Sequence, residues 1–167
     1  MQNLLNKYLH HYPTDLLGTY GTHTVRYRGI HEDAGKGGTH IHLWKNLTPS
    51  TNSGNLMYKP LYYSGVLMFK PFLRPLSDLV KEIDLGEGLE IPIKNIFYGY
   101  RKGLELKMSF DKEGGLNEMW LDYPEGRGDY VNECSMTRED WDYLYANHFD
   151  VGGLIDKELA HDINNKL

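Results

Sequence analysis

Apolar and polar residues alternate in several stretches of this chain that are too short for amphipathic helices, and glycine or proline separates them. Residues 89–93 and 104–110 show the pattern most clearly, as half-buried strands do. Residues 22–30, rich in Thr, Val and Tyr, and residues 39–44 repeat it on either side of Gly35-Lys36-Gly37-Gly38, a flexible connection that predicts a hairpin. Such strands need a core, and 167 residues with 40% hydrophobic content can bury one without disulfides or metals. Cys134 stands alone, so no intramolecular bridge is possible and a reducing cytosol is expected. The opening Met-Gln-Asn-Leu-Leu lacks a signal-peptide pattern, and no apolar run approaches the roughly 18 residues that span a bilayer. The expectation is one cytoplasmic domain over residues 1–167, with no membrane partner.

Helical spacing appears in three places. Leu4, Leu5, Tyr8 and Leu9 form an amphipathic stripe within residues 2–12, stopped by Pro13. Residues 75–83 can form two helical turns, with Leu76, Leu79, Val80 and Ile83 on one face. The clearest helix starts at Thr137, which can cap with Asp140 at the third position while Met136 and Trp141 form a hydrophobic staple. Its stripe is Trp141, Leu144, Tyr145 and His148. Gly152 and Gly153 then permit a reversal into a second short helix over residues 154–160. Residues 62–73 read as a long strand in which Pro71 must sit at an edge or bulge, because proline cannot donate to a ladder. Residues 89–93 and 104–110 are expected to be neighbours in one antiparallel sheet. The fold class is therefore α+β: an antiparallel sheet, a short connecting helix and a C-terminal helical pair.

Charge is divided along the chain. Residues 1–107 carry 13 Lys+Arg against 9 Asp+Glu, whereas residues 108–167 carry 5 against 14. The acidic part includes Glu118, Asp122, Glu125, Asp129 and Glu133, and such a region favours a basic partner surface while repelling nucleic acid. Its plainer role is to keep a small protein soluble. In the first two thirds, basic and aromatic residues interleave: Arg26, Tyr27 and Arg28, then Trp44, then Tyr98, Tyr100, Arg101 and Lys102. A ring beside a cation is the combination that single-stranded RNA or DNA sites use. The overall charge of −5 argues against nonspecific duplex binding.

Two segments resemble a family. Residues 72–83 read Phe-Leu-Arg-Pro-Leu-Ser-Asp-Leu-Val-Lys-Glu-Ile, and residues 147–164 read Asn-His-Phe-Asp-Val-Gly-Gly-Leu-Ile-Asp-Lys-Glu-Leu-Ala-His-Asp-Ile-Asn. Together they resemble small accessory proteins carried by phages and prophages of Bacteroidota-type bacteria, over roughly a third of the chain. That resemblance implies a part in the contest between phage and host. It brings no assigned chemistry.

Enzymatic motifs are few. His40 and His42 point to one face of a strand, and a facing His23 could complete a metal site, with Glu32 or Asp33 orienting the rings. The plainer reading makes them polar members of an exposed hairpin face. Gly35-Lys36-Gly37 lacks both the spacing and the hydroxyl of a phosphate loop, and His31-Glu32 lacks the second histidine of a zinc helix. No nucleophile signature surrounds Cys134. Taken together, these features favour a non-enzymatic inhibitor of a host defence system, of the anti-CRISPR type. It would bind an RNA-guided effector with a basic nucleic-acid-binding surface, or its guide RNA, and no cofactor is implied. A metal-dependent hydrolase or nuclease using the histidines, and a virion structural or packaging component, stand as alternatives.

Overall fold

A computed structural model describes residues 2–14, 16–33, 38–45, 69–86, 88–101, 103–122 and 136–165, with backbone alone for residues 2, 3, 6, 30–33, 38–42, 44 and 45. The chain divides into two compact units: unit 1 is Met1–Leu73 with Leu154–Leu167, and unit 2 is Arg74–Gly153. The α+β class holds, with several antiparallel pairings and few helices. Among the described residues, no helix is long and apolar enough to cross a membrane.

Unit 1 is built on a five-stranded sheet. Its strands are β1 (Leu17–Tyr20), β2 (His23–Asp33), β3 (Gly38–Lys45), β4 (Phe69–Leu73) and the two-residue β9 (His161–Asp162), in the order β3-β2-β1-β4-β9. The β2–β3 hairpin forms as its alternation predicts, with a register shift between Tyr27 and Gly29. All neighbours are antiparallel except β4 and β9, which run parallel. One face buries Val25, Tyr27, Phe69 and Leu73, and α1 (Gln2–Leu9), with Leu5 and Leu9 buried, lies against β2. Gly18 is required in β1, because a Cβ there would meet the Phe69 ring and the Lys70 carbonyl oxygen, the latter at 2.5 Å. The short β1 escapes the sequence pattern. Pro71 lies in an interior strand, but β9 begins pairing only at Phe72, so β4 has a single partner at the proline.

Unit 2 gathers shorter pieces around Leu79, Ile93, Met119, Leu144, Phe149 and Val151, all buried. Residues 75–83 do not form two α-turns. A 3₁₀ turn spans Leu76–Val80, whose threefold repeat stacks Leu76 and Leu79 inward and leaves Val80 exposed. Ile83 leaves the turn altogether and starts β5 (Ile83–Asp84), which pairs with β6 (Leu89–Glu90). The expected pairing of residues 89–93 with 104–110 is therefore absent. Pro92, which cannot donate to a ladder, ends β6 and caps α2 (Ile93–Ile96), while β7 (Glu105–Phe110) pairs with β8 (Leu116–Asp122).

The helix α3 (Arg138–Ala146) starts as its sequence predicts. Thr137 Oγ1 accepts from the Asp140 N–H at 3.3 Å, and Asp140 Oδ2 accepts from the Thr137 N–H at 2.7 Å, closing a capping box. Met136 and Trp141 both pack on the unit 2 core. The helix ends in a Schellman motif: the Phe149 N–H donates to Leu144 O, the His148 N–H donates to Tyr145 O, and His148 takes a left-handed φ of 62°. The expected second helix over residues 154–160 does not form. A single turn there closes by the same motif, with Leu159 N–H donating to Leu154 O and Glu158 at φ 57°. One left-handed residue ends it before a second α-turn can start. In the corner between, the left-handed glycine is Gly153, at φ 59°.

Candidate functional site

The acidic set lies in unit 2. Glu118 and Asp122 are both exposed on β8, where the alternation places them on one face with Trp120 between them. Register adds neighbours from β7, since Glu105 pairs with Asp122, Lys107 with Trp120 and Ser109 with Glu118. Lys107 Nζ donates to Glu105 Oε2 at 2.5 Å, and that hydrogen bond and charge hold the ammonium above its ordinary pKa. The ribbon thus presents three carboxylates and one ammonium around a Trp120 side chain that is 36% exposed. Glu125, Asp129 and Glu133 fall outside the described residues.

The basic-aromatic set is split. Arg26, Tyr27, Arg28 and Trp44 belong to unit 1; Tyr98, Tyr100, Arg101 and Lys102 belong to unit 2. Tyr27 is withdrawn from any surface: its ring is buried against Phe69, with centroids 6.1 Å apart, and burial pushes its phenol up to about 12. It is a core residue and cannot stack on a base. Arg26 and Arg28, half-buried, alternate with it and stand on the opposite side of the sheet. In unit 2, Tyr98 is fully exposed and Arg101 exposed, Tyr100 packs on the core, and Lys102 lies outside the described residues.

Strand register brings out a backbone alignment that the sequence hides. Trp44 pairs with Arg26, Arg26 with Leu17 and Phe72 with His161, while the pair Gly18 and Pro71 sets Leu17 beside Phe72. One row crosses all five strands. Sharing Leu17, Phe72 and His161 with it, a cleft of about 620 Å³ is also lined by Thr19, Thr24, Ile155 and Asp162, among others. Thr19 Oγ1 and His161 Nε2 lie 2.8 Å apart there, and the imidazole tilts against Phe72. Burial, then the nearby Lys70 charge, holds His161 below its ordinary pKa, so it is neutral at pH 7.

The strand register sets the three candidate metal histidines apart along the backbone. His23 pairs with Tyr20 at the start of β2, whereas His42 pairs with Gly29 and His40 with His31. His23 is thus separated from that end of the hairpin by about 20 Å of strand, at roughly 3.3 Å per residue, which is beyond a shared ion. Among the described residues, no three metal-ligating side chains converge.

A second cleft, about 730 Å³, opens in unit 2 between β6, α2 and α3. The β5–β6 hairpin that forms its wall is fastened by Asp84 Oδ1, which accepts from the Gly86 N–H at 2.7 Å. Inside, Asn95 Nδ2 donates to Glu90 Oε2 at 3.2 Å and to the Tyr143 hydroxyl at 2.8 Å, and Tyr143 donates to Glu90 Oε1 at 3.4 Å. Burial raises the Tyr143 pKa and the Glu90 charge adds to the rise, against the lowering effect of Asn95. These partners are 48 and 53 residues apart, so no local motif announces them.

The two segments that carry the phage resemblance turn out to be structural neighbours within each unit. Phe72 pairs with His161 and Leu73 with Asp162 in unit 1, and Arg74 bridges Phe149 in unit 2. No family model, curated protein or solved structure matches the chain.

Proposed function

We propose that this chain is a phage-borne, non-enzymatic inhibitor of a host defence system. It acts in the bacterial cytoplasm by docking its acidic surface on the basic nucleic-acid groove of an RNA-guided effector. The observation that supports this most is the face of β7 and β8, where Glu118 and Asp122 flank the exposed Trp120 and Lys107 offsets only Glu105. Acids supply steering toward a basic groove and exclude nucleic acid from it, and a large aromatic at the centre supplies the anchor that interfaces concentrate. Unit 2 as a whole carries 9 Lys+Arg against 17 Asp+Glu, a net of −8, which extends the field beyond the ribbon. A second reading, a grip on the guide RNA, is favoured by the row from Arg26 to Phe72 and His161 across the sheet of unit 1.

The test replaces Glu118, Asp122, Glu125, Asp129 and Glu133 together by Asn or Gln, and measures association with an RNA-guided effector and protection of phage in an infected host. Association by the parent should be fast and weaken steeply with salt, because opposite fields are screened over about 8 Å at physiological ionic strength. The neutralised variant should lose most of that rate. Substituting Arg26, Arg28, Arg101 and Lys102 is the opposing arm, since a grip on RNA depends on cations and ignores the acids. Binding indifferent to both sets would remove the inhibitor reading and move the virion component ahead of it.

A further inference from the structure

The Glu90 carboxylate in the unit 2 cleft is held by two neutral donors, Asn95 and Tyr143, and among the described residues no cation pairs with it. Two donors fill only about half of a carboxylate's roughly four acceptor positions. The cleft that contains it far exceeds the size of one side-chain head, and Leu89 at its wall is 69% exposed. A fixed anion, a phenol and an exposed aliphatic side chain together complement a planar cation carried on an apolar stem.

We propose that this cleft is a socket for an arginine side chain of a basic polypeptide, with Glu90 as the counter-ion of the guanidinium and Tyr143 and Leu89 packed along its stem. The inference rests on the reading that unit 2 meets a basic protein surface, and it names a contact separate from the β7–β8 ribbon. Arginine fits better than lysine because its fork can donate two parallel hydrogen bonds to one carboxylate, and Asn95 and Tyr143 already fix the orientation of that carboxylate. The charge of unit 2, −8 against +3 for unit 1, selects a cationic occupant over a neutral one.

The experiment titrates the isotope-labelled full chain with acetyl-arginine amide and follows the Asn95 side-chain amide and the Tyr143 ring by NMR. Saturable shifts at both are expected, absent with acetyl-glutamine amide and weakened roughly tenfold in Glu90→Gln. The bound guanidinium should also lower the Tyr143 pKa, a change that a purely structural role for Glu90 does not produce. If Glu90→Gln disturbs the fold, Tyr143→Phe serves as the second variant: it keeps the carboxylate and should retain weaker binding. Absence of a saturable shift, or an equal shift in Glu90→Gln, overturns the socket; equal binding of acetyl-lysine amide overturns its preference for arginine. The neutralised ribbon variant should still bind the amide, so failure of the docking reading and failure of the socket give different results.

Discussion

Unit 1 and unit 2 solve the problem of a small core in opposite ways. Unit 1 lays five strands side by side, buries one face and keeps Arg26, Arg28 and Lys70 on the other. Unit 2 assembles two-stranded ribbons, a 3₁₀ turn and two helices, and its backbone pairing is short everywhere except β7–β8. The large hydrophobic side chains exposed among the described residues, Val80, Leu89, Tyr98, Phe110 and Trp120, all belong to unit 2. So does the excess of acid. Exposed apolar groups within a charged surround are what contact surfaces carry, and this difference is what the docking proposal rests on.

The comparison can be broken first at the cores. Phe149→Ala removes a fully buried ring from unit 2 and should cost about 3–5 kcal/mol, and Phe69→Ala should cost unit 1 a similar amount. With Trp44 replaced by Phe, Trp120 and Trp141 report on unit 2 alone, so their fluorescence in a denaturant titration should shift strongly with Phe149→Ala. If Phe69→Ala shifts that fluorescence equally, the two units unfold as one and the contrast is of shape alone.

A smaller effect separates two glycines. Gly18→Ala drives a methyl group into the Lys70 carbonyl and the Phe69 ring and should cost about 1–3 kcal/mol, whereas Gly99→Ala meets nothing within 4 Å and should be neutral to within about 0.5 kcal/mol. Melting temperatures of the two variants measure the difference. Equal melting would mean that β1 and β4 can separate without loss.

The smallest effect is one of acidity. His161 has a folded pKa below its ordinary 6.5, so the unfolded chain takes up the proton more readily. Unit 1 should keep the full contribution of the neutral ring above about pH 6.5 and lose it progressively as pH falls below that toward the folded value. Lys70 and Asp162 also stand by the ring, and the Lys70 charge opposes its protonation. Denaturation midpoints between about pH 7 and pH 5 should fall for the parent and fall less for His161→Gln. A parallel decline in both would assign the acid sensitivity to other groups.

How far the residues announce this arrangement depends on how local each interaction is. The start of α3 is legible because Thr137, Asp140, Met136 and Trp141 lie within six positions and each has a stated capping or packing role. The β2–β3 hairpin is legible for the same reason. The strand β8 is not: its buried positions, Leu116, Met119 and Leu121, break strict alternation near a register shift at Ser109 and Phe110, and its charges draw attention away from pairing. The helix expected over residues 154–160 has suitable residues, but Glu158 adopts a conformation normally left to glycine, which composition does not reveal. The acidic set could be placed in part, through Glu118 and Asp122. His161 could not, since its partner Thr19 is 142 residues away.

Unit 2 interrupts unit 1, entering at Arg74 and leaving at Gly153. Those two ends are stitched together, because the Arg74 N–H donates to His148 O and the Asp150 N–H donates to Arg74 O, each at 2.8 Å. Without β9, β4 would be an unfinished edge, open to the wrong partner strand. Once Arg74 and Phe149 are joined, the long intervening chain no longer counts as a floppy loop, and the search by β9 for β4 becomes a short-range one. The closed ends of the insertion thus lower the loop-closure cost of the parallel β4–β9 pair in the sheet of unit 1.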